Sequence, residues 1–193
     1  MTLTKSRALG AAVAVVAGLS LLTGCGGKDT AAVPDGWGTL DTASVSVGYP
    51  KDRGYAPQPA ARRSKANAAV ALKEEGGLRT GMVSVQLDFA TGVSDAGEAG
   101  AAAGAGIGLG ATRKGTEDVR LAGEESAREA RRIDYEFTST GAERTPDRGT
   151  RMTGVVVAGV DSKDVPFAIR INAVKGSLST KDLDEFVGSI TVK

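Results

Sequence analysis

The residues best suited to chemistry in this chain are carboxylates. Asp134 and Glu136 stand two apart in a segment that alternates apolar and polar residues, so on an extended strand they are neighbours on one face. Two acids in one concave site can share acid and base roles when burial raises the pKa of one of them. Arg128, Arg131 and Arg132 lie just before the pair, and Arg170 lies on another alternating segment. The commoner outcome of such a pattern is a solvated strand face with cross-strand ion pairs. Asp161 and Asp164 bracket Asp161-Ser-Lys-Asp164, where turn chemistry accounts for both better than metal binding. Gly106-x-Gly108-x-x-Ala111 meets the loosest spacing of a dinucleotide fingerprint. That fingerprint needs a strand before it and a helix after it, and here an Ala-rich, helix-like stretch precedes. A packing or loop role is the expectation. The chain has no histidine and one cysteine, which removes His bases, His ligands and a Ser-His-Asp arrangement. No metal motif of diagnostic spacing appears, and with the glycine segment read as packing or loop neither a metal nor a cofactor is expected.

The single cysteine, Cys25, has a distinctive setting. Lys5 and Arg7 form a short basic start, an uncharged apolar run follows from Ala8 to Leu22, and Leu22-Thr23-Gly24-Cys25 closes the segment. The run is short of the ~20 residues that span a bilayer and suits the core of a signal peptide. Leu22-Thr23-Gly24-Cys25 resembles the bacterial lipobox. That resemblance implies cleavage between Gly24 and Cys25 and a diacylglycerol, palmitate-bearing lipid on the Cys25 sulfur. It also implies residence on the outer face of the cytoplasmic membrane. Two acyl chains give stable anchoring where one does not.

Three parts are therefore expected: a signal peptide over 1–24, a flexible tether over 25–37 rich in Gly, Lys, Asp and Pro, and one domain over 38–193. Loss of residues 1–24 takes away two cations and leaves 22 basic against 23 acidic residues, a net charge of −1. That balance offers no electrostatic case for nucleic acid.

The elements that must position these groups show in the periodicity. Val83, Val85, Leu87 and Phe89 alternate with polar residues; so do Ile133, Tyr135 and Phe137, and Phe167, Ile169, Ile171 and Ala173. Period two over such lengths predicts strands, and half-buried strands favour an antiparallel sheet. Weaker strands are expected at 44–47, 68–72, 118–121 and 152–160, the last with both faces buried at Val155-Val156-Val157. Leu183, Phe186, Val187 and Ile190 follow a helical stripe with Ser179 or Thr180 as cap. Ser94 to Gly106 reads as a weak helix, since its alanines favour helix and its glycines each cost about 1 kcal/mol. Thr138–Thr150 reads as a hairpin connection. Trp37, Tyr49, Tyr55 and Phe89 are expected to cap one end of the core. The alternative is that Tyr49 and Tyr55 flank an open edge and line a ligand cleft or partner surface.

In order, a first strand ends at Tyr49-Pro50 with Gly54-Tyr55 after it. Two strands and an Ala-rich helix follow, then Val119-Arg-Leu-Ala-Gly123 leads into Ala130–Phe137. Two long strands and a helix running into Ser189-Ile-Thr-Val-Lys193 complete the chain. This order resembles the PsbP-like fold over roughly residues 40–193, including actinobacterial lipoproteins of the LpqN type. Lys51-Asp-Arg-Gly-Tyr55 stands where that family has an aromatic-rich turn. The resemblance implies an α+β domain in which helices flank a central antiparallel sheet. It further implies a non-enzymatic binding or adaptor module of the cell envelope, and it transfers no catalytic residue. The partner would be an envelope protein or an apolar ligand. Two other functions stay open: a hydrolase using Asp134 and Glu136, and a carrier of a lipid or hydrophobic small molecule.

Overall fold

The computed structural model describes residues 29–124 and 129–193. Gly24, Cys25 and Arg128 lie outside the described residues. In chain order the elements are β1 (Trp37–Asp41), β2 (Val45–Pro50), β3 (Tyr55–Pro57), β4 (Ala69–Glu75), β5 (Leu78–Leu87), α1 (Ala96–Ala105), β6 (Thr112–Arg120) and β7 (Ala122–Gly123). They continue with β8 (Glu129–Thr138), β9 (Arg151–Val160), β10 (Pro166–Val174), α2 (Thr180–Gly188) and β11 (Thr191–Val192).

Alternation in the long strands builds a seven-stranded sheet ordered β3-β4-β5-β10-β9-β8-β6, in which every pairing is antiparallel. A smaller sheet, β1-β2-β11-β7, joins three short N-terminal and mid-chain strands to the last one. The fold is α+β. One face of the large sheet carries Val83, Val85, Val155, Val157, Phe167, Ile169 and Ile171. These pack into one core with Trp37, Val45, Val47 and Tyr49 of the small sheet and with Leu183 and Phe186 of α2. The opposite face carries Ile133, Tyr135, Val156 and Ala158, and packs against Ala99 and Ala103 of α1. Val155, Val156 and Val157 are all fully buried, as both-face burial requires.

The two helices are held differently. Helix α2 starts with a capping box: Ser179 Oγ accepts from the Asp182 N–H, and Asp182 Oδ2 accepts from the Ser179 N–H. Its apolar stripe places Phe186 against Trp37, with ring centroids 4.7 Å apart, and edge-on to Tyr55. Helix α1 has no such stripe. Asp95 caps it, and its buried positions Ala99, Gly100, Ala103 and Gly104 let its backbone settle onto β8. A methyl group on Gly100 would lie 2.5 Å from Arg131 Cγ, and one on Gly104 would lie 3.1 Å from Ile133 Cδ1. Glycines that weaken an isolated helix thus allow this one to dock.

Several expectations need correction. Phe89 leaves the face of Val83, Val85 and Leu87, because Asp88 adopts φ +49° and ends the alternation. Phe89 packs instead on the α1 side. The strand expected at 118–121 is the end of β6, which begins at Thr112 and is exposed almost throughout. Residues read as a tether meet the domain: Asp29 bridges Gly123, the Ala31 N–H donates to Thr191 Oγ1 at 2.9 Å, and Trp37 is buried in β1.

Candidate functional site

Asp134 and Glu136 share the α2-side face of β8 but do not face each other across a hollow. Arg132 takes up Asp134, with Nε 3.0 Å from Oδ2, and reaches Asp184 of α2 with Nη1 at 2.7 Å. Glu136 is held between Lys175, at 2.6 Å, and Arg151, at 2.9 Å. Lys175 and Arg151 keep the Glu136 carboxyl below its ordinary range against a desolvation that pushes the other way. A general acid working near neutral pH needs the opposite shift. Arg170 is not part of this group, because its position on β10 alternates onto the other face. Arg131 also lies on that other face, where it pairs with Asp118.

Asp161 does what its turn requires. Its Oδ1 accepts from the N–H groups of Lys163 and Val165 between β9 and β10, and Asp164 takes φ +60°. Among the described residues no group of three or more Asp, Glu or Cys is arranged to hold a metal.

The α1 side of the sheet carries a cleft of about 560 Å³. Residues 106–111 wall it on one side and the β8–β9 connection on the other; Tyr135, Phe137, Arg170 and Asn172 line it. The glycine segment singled out in the sequence is therefore a wall of the cleft. It follows a helix and precedes a strand, the reverse of a dinucleotide fingerprint. Within it Ile107 and Ala111 pack inward while Leu109 is fully exposed.

The floor of the cleft is fixed by hydrogen bonds. The buried Tyr135 hydroxyl donates to Asn172 Oδ1 at 2.6 Å, and Tyr135 stacks on Phe137 with centroids 5.8 Å apart. Burial pushes the Tyr135 phenol up from its ordinary pKa, with Arg170 opposing. Arg170 Nη2 donates to the Ala103 carbonyl near the end of α1, at 3.0 Å. Gly154 lies beneath, and a methyl group there would collide with the Tyr135 ring and sit 2.5 Å from Asn172 Oδ1. The second wall is also built rather than loose. Ser139 Oγ donates to the Pro146 carbonyl, the Gly149 N–H to the Ser139 carbonyl, and the Arg79 N–H to the Arg144 carbonyl. The resulting surface has apolar and aromatic floor atoms with a few fixed polar groups, which is the make-up of a binding site.

Sequence reasoning named the Gly106–Ala111 segment and the 138–150 connection, yet assigned neither to a site. Arg148, Asn172 and Gly154 were missed. Their only signal was position: Asn172 is a polar residue on the alternate face of a strand, a pattern shared by any wetted face.

No protein-family model and no curated protein matches the chain. Among solved structures it is similar to a protein of Bacteroides thetaiotaomicron, at 14% identity and a TM-score of 0.41, covering 86% of this chain and 49% of that one. It is similar also to the Saccharomyces cerevisiae Ran-binding protein Mog1p, at 14% identity and a TM-score of 0.43, covering 77% of this chain and 81% of that one. This chain spans about half the length of the first. Neither likeness bears on the chemistry of the cleft.

Proposed function

We propose that this chain is a lipid-anchored, extracytoplasmic binding module that works without catalysis and engages its ligand or partner in the α1-side cleft. The observation that carries the binding part is the cleft itself: about 560 Å³, an aromatic floor and two braced walls. The anchor rests on Leu22-Thr23-Gly24-Cys25 behind an uncharged run. With Asp29 paired to Gly123, only three residues separate Cys25 from the domain, a reach of at most about 14 Å. The module then sits close against the outer face of the cytoplasmic membrane. At the level of fold, α1 on one sheet face with α2 and the small sheet on the other support a PsbP-like α-β-α sandwich.

An open cleft favours a partner segment over a carried apolar molecule. The space between sheet and α2 is filled by fully buried Phe186, Ile169 and Ile171, and α1 lies tightly on β8. The hydrolase reading loses support from the ion pairs that occupy Asp134 and Glu136.

The test is in-cell cross-linking followed by capture, comparing wild type, Cys25→Ala and Phe137→Asp. One envelope protein recovered with wild type, lost with Phe137→Asp, and lost when Cys25→Ala releases the chain from the membrane is the expected result. Equal recovery by all three forms refutes the reading.

A further inference from the structure

The cleft continues beyond its two walls. It shares Phe137, residues 138–140 and Asn172 with a second depression of about 270 Å³. That one shares Leu72, Arg79 and Met82 with a third of about 560 Å³. One register row runs beneath them: Tyr135 pairs with Gly154, Gly154 with Asn172, Asn172 with Met82, and Met82 with Leu72. Four strand spacings make this groove about 19 Å long, the length of five or six extended residues.

The charges along it are one-sided. Arg62, Arg63, Arg79, Arg144, Arg148 and Arg170 line the groove against one acid, Glu74, which pairs with Arg144 at 2.8 Å. No carboxylate among the described residues forms an ion pair with Arg62, Arg63, Arg79 or Arg148. In a protein whose basic and acidic residues nearly balance, that bias belongs to the groove. Arg79 reaches the middle depression, the other arginines lie towards the ends, and the middle is the most apolar stretch, with Met82, Met152, Pro146 and Phe137.

We propose that the groove binds an extended acidic peptide segment of a partner, with carboxylates on the arginines at both ends and an apolar side chain on the central floor. The assignment rests on the binding reading above and names the class of partner. An acyl chain fits less well, since a groove open along its length leaves one side of the chain in water, at about 0.8 kcal/mol per unburied CH₂. A peptide alternates its side chains and needs only one face buried.

Full-length protein in nanodiscs of neutral phosphatidylcholine tests this by fluorescence anisotropy with the labelled hexapeptide Glu-Glu-Leu-Phe-Glu-Glu. The acidic peptide is expected to bind, and its counterpart with Lys for Glu is not. The triple change Arg62→Glu, Arg63→Glu and Arg148→Glu, all at exposed or half-buried positions, is expected to weaken binding about tenfold or more, and added salt to weaken it further. Equal binding of the Lys peptide, or no effect of the triple change, overturns the proposal. So does tighter binding of soluble dihexanoylphosphatidylglycerol, which would give the groove to an anionic lipid. Failure of the peptide with in-cell capture still lost in Phe137→Asp overturns only the acidic-peptide assignment; failure of both removes the cleft reading as well.

Discussion

Replacing Gly154 by Ala probes the floor of the cleft with a single methyl group. The Gly154 backbone is outside the left-handed region, so alanine adopts it without strain, and only the collision matters. The methyl would run into the Tyr135 ring and the Asn172 side-chain oxygen, which are themselves joined by a 2.6 Å hydrogen bond. Overpacking of this kind costs about 1–3 kcal/mol, and the strained hydrogen bond about 1 more. The stiffer unfolded chain returns about 0.4–1 kcal/mol, leaving a net loss of about 2 kcal/mol. For a chain of this size that lowers Tm by roughly 4–8 °C. Gly188→Ala is the matched control: it lies in the last turn of α2 with nothing within 4 Å of the added methyl. It should raise stability by up to about 1 kcal/mol. Urea and thermal unfolding followed by circular dichroism measure both. If Gly154→Ala stays within about 0.5 kcal/mol of wild type, the Tyr135–Asn172 floor is soft and the packing argument fails.

Alkaline stability should depend on Tyr55. Burial raises its phenol from an ordinary 10.0 to about 12, so the native state holds a proton that the unfolded chain releases. Stability from this group is intact below pH 10 and declines up to pH 12, by about 1.4 kcal/mol at pH 11. Tyr55→Phe should flatten that part of the unfolding-versus-pH curve, and an unchanged slope would count against it. Ser179→Ala removes the α2 cap and should cost about 1 kcal/mol in urea unfolding. Cys25→Ala should move the chain from the membrane to the soluble fraction, or stall its processing; an unmodified, water-soluble wild-type N-terminus would contradict the anchor.

Much of the framework was legible in the sequence because burial leaves a period. Residues 133–137, 167–173 and 183–190 announced two strands and a helix through apolar spacing, and Val155-Val156-Val157 announced a strand covered on both faces. The proposed anchor at Cys25 rests on another kind of pattern, a linear string of residue types that needs no fold to be read. Where burial is weak, the pattern fell silent. Residues 112–117 carry no apolar alternation, and they become a strand only because β8 offers its edge to pair with. Asp88 turns Phe89 to the other face through a backbone angle that side-chain type does not reveal. The glycines of α1 counted against a helix until the sheet beneath explained them as room for Arg131 and Ile133. Partnership was decided by register. Asp134 and Glu136 are neighbours in sequence, but their cations come from residues 132, 151 and 175, and Arg170 was carried to the opposite face. The cleft and its row of arginines draw on residues from 62 to 172. A linear pattern records which side of its own strand a residue takes; which distant residues meet on that side depends on strand order and pairing, which only the folded chain fixes.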